Sequence, residues 1–328
     1  MRMTYPIDRL IAPIRRSAVA GSFYLGVVDE LTGMVDRQLA AAPPSEEVAA
    51  ASVAGLSGIL VPHAGLAYSG TVAAAAWRLA ASTSFGARDP SETGTGARDP
   101  SETGGAIPGS ATTLVLLGTN HGAGWLTGVG IWDAGAWQTP LGDVAVDDEL
   151  AAEVAALGPP FAVDREAHQD EHSIEVQLPF VRRTMPGARI VPLTVATGSG
   201  RLALGAGRAL GALLAERRAR GDRVGLAIST DMAHYPPATL GIRITEELAP
   251  FILGLEPERL AERESAIAAS GLPGVACGMC GIQPAVVGLA ALREMGGGDG
   301  LRLASATSAD AGGPSGRTVG YLAVAFLS

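Results

Sequence analysis

Two cysteines in 328 residues are too few for a disulfide scaffold. Basic charge is short as well: 24 Lys and Arg stand against 33 Asp and Glu. The formal net charge of −9 argues against a nucleic-acid partner, which needs a basic face. No apolar run reaches the length of a membrane span. The opening stretch, MRMTYPIDRLIAPIRRS, lacks the continuous apolar segment of a secretory signal. These shortages set the expectation of a soluble, cytoplasmic protein with no membrane and no nucleic-acid partner. Histidine is the last scarce type, at five residues, and where those five stand is the chain's most informative feature.

What the chain does have is apolar substance. Hydrophobic residues make up 47% of it, so the bulk can bury a full core. Apolar runs that read as buried strands cover 58–62, 113–118, 189–196, 224–229, 301–307 and 319–326. Helical stretches are expected over 27–42, 147–157, 201–220 and about 242–270, and from about Gln283 to Met295. Residues 128–137 read as a strand or hairpin. Strands alternate with helices almost throughout, which predicts an α/β fold with a central, mostly parallel sheet flanked by helices. Residues 86–105 hold a tandem repeat, GARDPSETGT then GARDPSETGG. It is polar and rich in Gly, Pro, Ser and Thr, so it cannot bury enough to order itself. The expectation is one domain over 1–328 with a flexible loop insertion at about 83–110.

Three histidines follow strand-like runs: His63 after GILVP, His121 after LVLLGTN and His234 after VGLAISTDMA. Ligands of open α/β sheets sit outside the carboxyl ends of the strands, so these three, with little histidine elsewhere, suggest one shared site. The other two, His168 and His172, lie in DREAHQDEHSIEVQLPF, from Asp164 to Phe180. The spacing of Ile174, Leu178 and Val181 predicts a helix, and His168, His172 and Glu175 would share another of its faces.

Several constellations stay open at this level. His168-Gln-Asp-Glu171-His172 fits the H-x-x-E-H zinc-hydrolase pattern, though it leaves the other histidines without roles. Cys277-x-x-Cys280 reads as a redox dithiol, half a zinc site, or two small buried residues. A cysteine just before a helix would have its thiolate stabilised by the helix N-terminus. Asp231, three residues before His234, would orient an imidazole or help move a proton, or else cap a helix.

Taken together, the motifs resemble the Memo family, whose bacterial members form the B component of the AmmeMemoRadiSam system. The segments that carry the resemblance are AVAGSFY from Ala18, VPHAGLAYSG from Val61, LGTNH from Leu117 and TPLG from Thr139. They continue with EHSIEVQLPF from Glu171, STDMAHY from Ser229, CGIQP from Cys280 and VGY from Val319. The resemblance implies a fold like that of the class III extradiol dioxygenases (LigB-like), which are non-haem iron enzymes. It implies His63, His121 and Cys280 as metal ligands, with His172, Asp231 and His234 as further polar groups for catalysis. Thr119 and Gly122 depart from the family pattern, which commonly has proline and a second histidine there. The cofactor implied is a divalent transition metal, iron first, with copper or zinc as alternatives. The function implied is a dioxygenase-like oxidoreductase acting on an unidentified small molecule, linked to the radical-SAM and other components of its system. The competing reading is a non-catalytic copper- or iron-binding or adaptor protein with a vestigial site.

Overall fold

A computed structural model describes residues 13–42, 55–83, 85 and 111–328. The tandem repeat and the loop insertion expected around it lie outside the described residues, apart from a few at its edges.

The chain order is β1 (Ile14–Arg15), α1 (Val28–Ala41), β2 (Leu56–Val61), α2 (Leu66–Ser82), β3 (Thr113–Thr119), β4 (Gly128–Ile131), β5 (Ala136–Trp137) and β6 (Val144–Ala145). It continues with α3 (Asp148–Ala156), β7 (Phe161–Val163), α4 (Leu178–Thr184), β8 (Arg189–Ala196), α5 (Arg201–Ala219), β9 (Val224–Ser229) and α6 (Ala238–Leu253). Last come α7 (Pro257–Ala268), α8 (Ile282–Glu294), β10 (Gly300–Thr307) and β11 (Gly320–Leu327). One sheet has eight strands in the order β10-β11-β2-β9-β3-β8-β4-β7. Its four middle strands, β2, β9, β3 and β8, run parallel, and antiparallel pairings occur only toward the two sides. A small three-stranded sheet holds β1, β5 and β6.

The middle strands have no polar face. Every residue of β2 (LSGILV), β3 (TLVLLGT) and β9 (VGLAIS) is buried. Strands covered on both faces read as such continuous runs rather than alternations. One cover is α8, buried along Pro284–Leu292, which packs on β9, β3 and β8 and is itself covered by α5 and α7. The alanine-rich α2 packs on β2, β11 and β10, beside α1 and α4. This is the α/β architecture, a mostly parallel sheet flanked by helices, that the alternation of elements implied.

Two expectations need correcting. Residues 128–137 do not form one hairpin: β4 joins the large sheet and β5 the small one. Nor does one helix cover His168, His172 and Glu175. The segment breaks into short 3-10 turns at Glu166–His168 and Glu175–Gln177 before α4 begins. An α-helix would need the carbonyls of His168 and Glu171 for the amides four residues on. Both are taken by the Arg15 side chain, at 2.8 Å from Nε and 2.6 Å from Nη2.

No helix among the described residues is long and apolar enough to cross a membrane.

Candidate metal centre

The site is built where three neighbouring strands stop. β2 ends at Val61 because Pro62 has no N–H to give the ladder, and His63 follows at once. β3 ends at Thr119, two residues before His121. β9 ends at Ser229, and Thr230–Ala233 carry the chain to His234, whose backbone bridges to Cys277 and Val319. Because β2, β9 and β3 are adjacent and parallel, all three turns open on one edge of the sheet. The segment that brings in His172 must press close to β3. A Cβ at Gly118 would stand 2.6 Å from Ser173 Oγ and Ile174 Cγ1, so glycine is what admits it. Gly281 does the same for the cysteine loop, since its Cβ would meet Thr230 at 2.5 Å.

The rings of His63, His121 and His172 converge. Their centroids are 5.3 Å apart for His63–His121, 5.5 Å for His63–His172 and 4.5 Å for the stacked pair His121–His172. Cys280 Sγ lies 3.2 Å from His63 Nε2. Among the described residues, two groups of donors have ligand atoms all within 4.8 Å of one another: His63/His121/His172, and His63/Asp231/Cys280. His63 belongs to both. The grouping differs from the one the resemblance implied: His172 and Asp231 stand among the donors, and Cys280 is grouped with Asp231 rather than with His121.

His63 is buried, and burial pushes its pKa down to about 4, so the ring is neutral at neutral pH. Its tautomer follows from its neighbour. The Ser229 hydroxyl donates to the Ser173 carbonyl at 2.6 Å, so its oxygen accepts from His63 Nδ1 at 3.1 Å. The lone pair is thereby left on Nε2, which faces Cys280. The Cys280 thiol is pushed well above its ordinary value, first by burial and then by the nearby Asp231 carboxylate. Stabilisation by the helix that follows does not prevail: the backbone donor on Sγ is Asp231 N–H at 3.3 Å. Protonated, the thiol donates to His63 Nε2.

Glu171 does more than its places in the H-x-x-E-H pattern and at the head of EHSIEVQLPF suggest. One carboxylate oxygen accepts the His121 N–H at 2.7 Å, and the other accepts His121 Nδ1 at 2.9 Å and the Ser173 N–H at 2.8 Å. His172 Nδ1 is 3.5 Å away. Burial alone would raise this carboxyl, but the His121 ring and the backbone donors outweigh it and hold its pKa at about 2. An imidazole fixed by a carboxylate on one nitrogen and free on the other is the usual arrangement of a metal-binding histidine. Burial also lowers the pKa of His172, and the neighbouring His121 acts in the same direction.

Asp231 does not cap a helix, since α6 begins at Ala238. Its Oδ1 accepts the backbone N–H groups of His63 at 2.8 Å and Ala64 at 3.2 Å, which pins the turn after β2. Its carboxyl stays below the usual range: burial opposes this, but His63 and His234 prevail. Oδ2 lies 3.7 Å from His234 Nε2, beyond hydrogen-bond reach, and that buried nitrogen has no hydrogen-bond partner among the described residues.

His168 is not part of the site. It is buried in a cage of Trp132 and Trp137, with Nε2 at 3.0 Å from the Gly130 carbonyl and Nδ1 at 3.0 Å from Thr194 Oγ1. Both nitrogens are spent, which removes the H-x-x-E-H zinc reading. Glu175 is likewise buried and paired with Arg15. Cys277 contributes backbone: its carbonyl accepts the His234 N–H at 3.1 Å. Burial, then Glu264, pushes its thiol up to about 11.

Comparison with known proteins agrees over most of the chain. The family model described as Memo-like protein matches residues 15–86 and 106–325, and the stretch between the two blocks holds most of the tandem repeat. A MEMO1 family protein of Methanothermobacter thermautotrophicus is 31% identical over 94% of this chain and 98% of its own length. One from Aquifex aeolicus is 32% identical over 96% of this chain and 99% of its own. A solved structure of an uncharacterized protein from Escherichia coli K12 covers 66% of this chain and 86% of its own. At 15% identity and a TM-score of 0.43, that likeness is too distant for its details to transfer. With one family model spanning both blocks and relatives matched along nearly their whole lengths, the chain belongs to the Memo-like family.

Proposed function

We propose that the protein, acting as a single domain, holds one divalent transition-metal ion at His63 and works there as a dioxygenase-like redox enzyme on a small molecule. Iron is the first candidate, and copper or zinc are alternatives. The observation that carries this reading is the pair of donor groups sharing His63. The donors suit such an ion. His63 is neutral, with its lone pair on Nε2. His121 has Nδ1 on Glu171, which leaves its Nε2 available. Imidazole and thiolate together suit iron, copper or zinc better than calcium or magnesium.

In this reading His63, His121 and Cys280 are ligands, as the resemblance implies, and His172 joins them rather than acting as an acid or base. A bound ion would supply redox and Lewis-acid chemistry at its open positions. The chain supplies the rest. Glu171 orients His121, and Asp231 fixes the His63 turn. His234, with a partnerless Nε2 beside a carboxylate, is placed to give a proton to a substrate oxygen or take one from it. The Cys280 thiol proton, now donated to His63 Nε2, must leave when metal binds, so affinity rises with pH.

The test is metal analysis of protein purified without chelator, followed by oxygen uptake of iron-loaded protein across catechols and related phenolics. We expect one ion per chain, lost in His63→Ala and Cys280→Ser and kept in Cys277→Ser. Equal losses from the two cysteine variants would overturn the assignment in favour of a Cys-x-x-Cys site. Metal retained with no oxygen uptake on any phenolic would sink the dioxygenase-like chemistry and leave a metal-binding protein.

A further inference from the structure

The turn that carries Glu171 and His172 is held by a charged pair that plays no part in the chemistry above. Arg15 and Glu175 are both fully buried and bonded to each other. A buried ion pair is weak evidence for stability, because desolvation offsets the attraction. Its remaining contacts say more. The Arg15 guanidinium donates to the carbonyls of His168 and Glu171, and also to that of Arg16 at 3.2 Å. It lies 4.1 Å over the Trp137 ring. Its planar fork of N–H groups therefore holds 168–175 out of a continuous α-helix.

Two consequences reach the donors. Glu171, placed by this turn, holds both the backbone and the ring of His121. The Glu175 carboxylate also gathers the segment that follows Arg15. It accepts the N–H groups of Ala18 at 2.8 Å and Val19 at 3.0 Å, and the Tyr24 hydroxyl at 2.6 Å. Phe23 of that segment lies against His172, with ring centroids 4.5 Å apart. Its carbonyl accepts the Leu66 N–H at the start of α2, which closes the segment over the turn after His63. One buried pair thus ties together the elements that carry or contact His63, His121 and His172 without touching any donor atom.

We propose that Arg15 and Glu175 are positioning residues for the metal centre. They set the 168–175 turn, and through Glu171 and Phe23 they set the separation and tilt of the His121 and His172 rings. Metal affinity and coordination geometry then depend on a charge pair outside the donor set. This rests on the metal reading given above.

The experiment titrates the metal-free protein with cobalt(II), whose visible absorption reports ligand geometry. It compares wild type with Arg15→Lys, Glu175→Gln and a control, Asp147→Asn. Asp147 is an equally buried carboxylate with its own arginine, Arg189, and stands at the amino-terminal ends of β3 and β8, away from the donors. Arg15→Lys and Glu175→Gln should weaken cobalt binding about 10- to 100-fold, the usual range for groups that orient ligands. They should also change the absorption bands. Asp147→Asn, compared at similar loss of thermal stability, should leave both intact. Tyr24→Phe removes one donor to Glu175 and keeps the pair, so it serves if the charged variants fail to fold, and it should shift affinity the same way by less. Wild-type affinity and spectrum in the folded Arg15 and Glu175 variants, or in Tyr24→Phe if those do not fold, would overturn the proposal. So would an equal loss in the Asp147 control. If wild type binds no cobalt, the metal reading fails. Nitrogen NMR of the histidine rings in metal-free protein then decides the positioning claim separately. Loss of the His121 Nδ1–H tautomer in the variants supports it, and an unchanged tautomer overturns it.

Discussion

His168 and His172 stand four residues apart in one acidic stretch, yet the fold treats them as opposites. His168 is sealed between two tryptophans, with each ring nitrogen matched to one partner. His172 is partly exposed and stacks on His121 and Phe23, and its Nδ1 stands 3.5 Å from the Glu171 carboxylate. The first has no bonding capacity left for a ligand. The second keeps some. Sequence spacing made them equivalent, and what separates them is whether the ring nitrogens are already spent.

The most direct way to break that comparison is to truncate each ring. His168→Ala removes a fully buried ring together with its bonds to the Gly130 carbonyl and the Thr194 hydroxyl, so it should cost about 3 kcal/mol or more. For a chain of this size that is a Tm drop of about 5 °C. The metal content of the folded fraction should stay intact. His172→Ala should do the reverse: stability within about 1 kcal/mol of wild type, and metal affinity down by at least ~100-fold if a ligand is lost. Thermal unfolding and metal titration read the two effects separately. Metal lost from folded His168→Ala, at full occupancy in His172→Ala, would invert the comparison.

The same pair shows what the sequence could and could not reveal. The middle strands were legible because β2, β3 and β9 are unbroken apolar runs, and their ends pointed to His63, His121 and His234. Convergence of those ends depends on β9 lying between β2 and β3, an order that no local pattern states. The 168–175 turn is hidden from local pattern because its i, i+4 spacing is helical while its carbonyls are claimed by Arg15, about 150 residues earlier. The role of Glu171 is hidden for a related reason. Its partner, His121, comes from another strand end 50 residues away. Cys280 was expected to gain from a helix N-terminus, and instead burial and Asp231 dominate.

A smaller change tests why the exposed member of the cluster keeps a usable nitrogen. Glu171→Gln preserves shape but replaces a carboxylate with an amide that cannot accept from every donor now on it: the His121 N–H and ring, and the Ser173 N–H. The His121 tautomer should loosen. Metal affinity should fall about 10- to 100-fold, as it does when groups that orient histidine ligands are removed. Stability should change less than in His168→Ala. Affinity equal to wild type in a titration would mean that Glu171 organises the loop without tuning the histidine.

The finest test uses protons, because His168 and His63 share one property across the two regions: burial pushes both pKa values down to about 4. The direction of the pH effect follows. Above pH 6.5, the ordinary histidine value, the ring is neutral whether the chain is folded or unfolded, and the contribution is complete. As pH falls from 6.5 toward 4, the unfolded chain takes up a proton that the fold refuses, and stability is lost. The slope is about 1.4 kcal/mol per pH unit for each such histidine. Below that window the loss levels off for the histidines. Glu171, with its pKa held near 2 against an ordinary 4.5, withdraws its own contribution as pH falls from 4.5 toward 2. In metal-free protein, Tm measured between pH 7.5 and 4.5 should therefore fall steeply. His168→Gln, which keeps an amide donor and acceptor in the cage but cannot titrate, should remove one proton's share of that slope. Adding metal to wild type at pH 6 should recover stability through His63 and leave the His168 share in place. If the slope in His168→Gln equals that of wild type, the cage does not hold its histidine neutral, and the contrast between the two regions loses its electrostatic half.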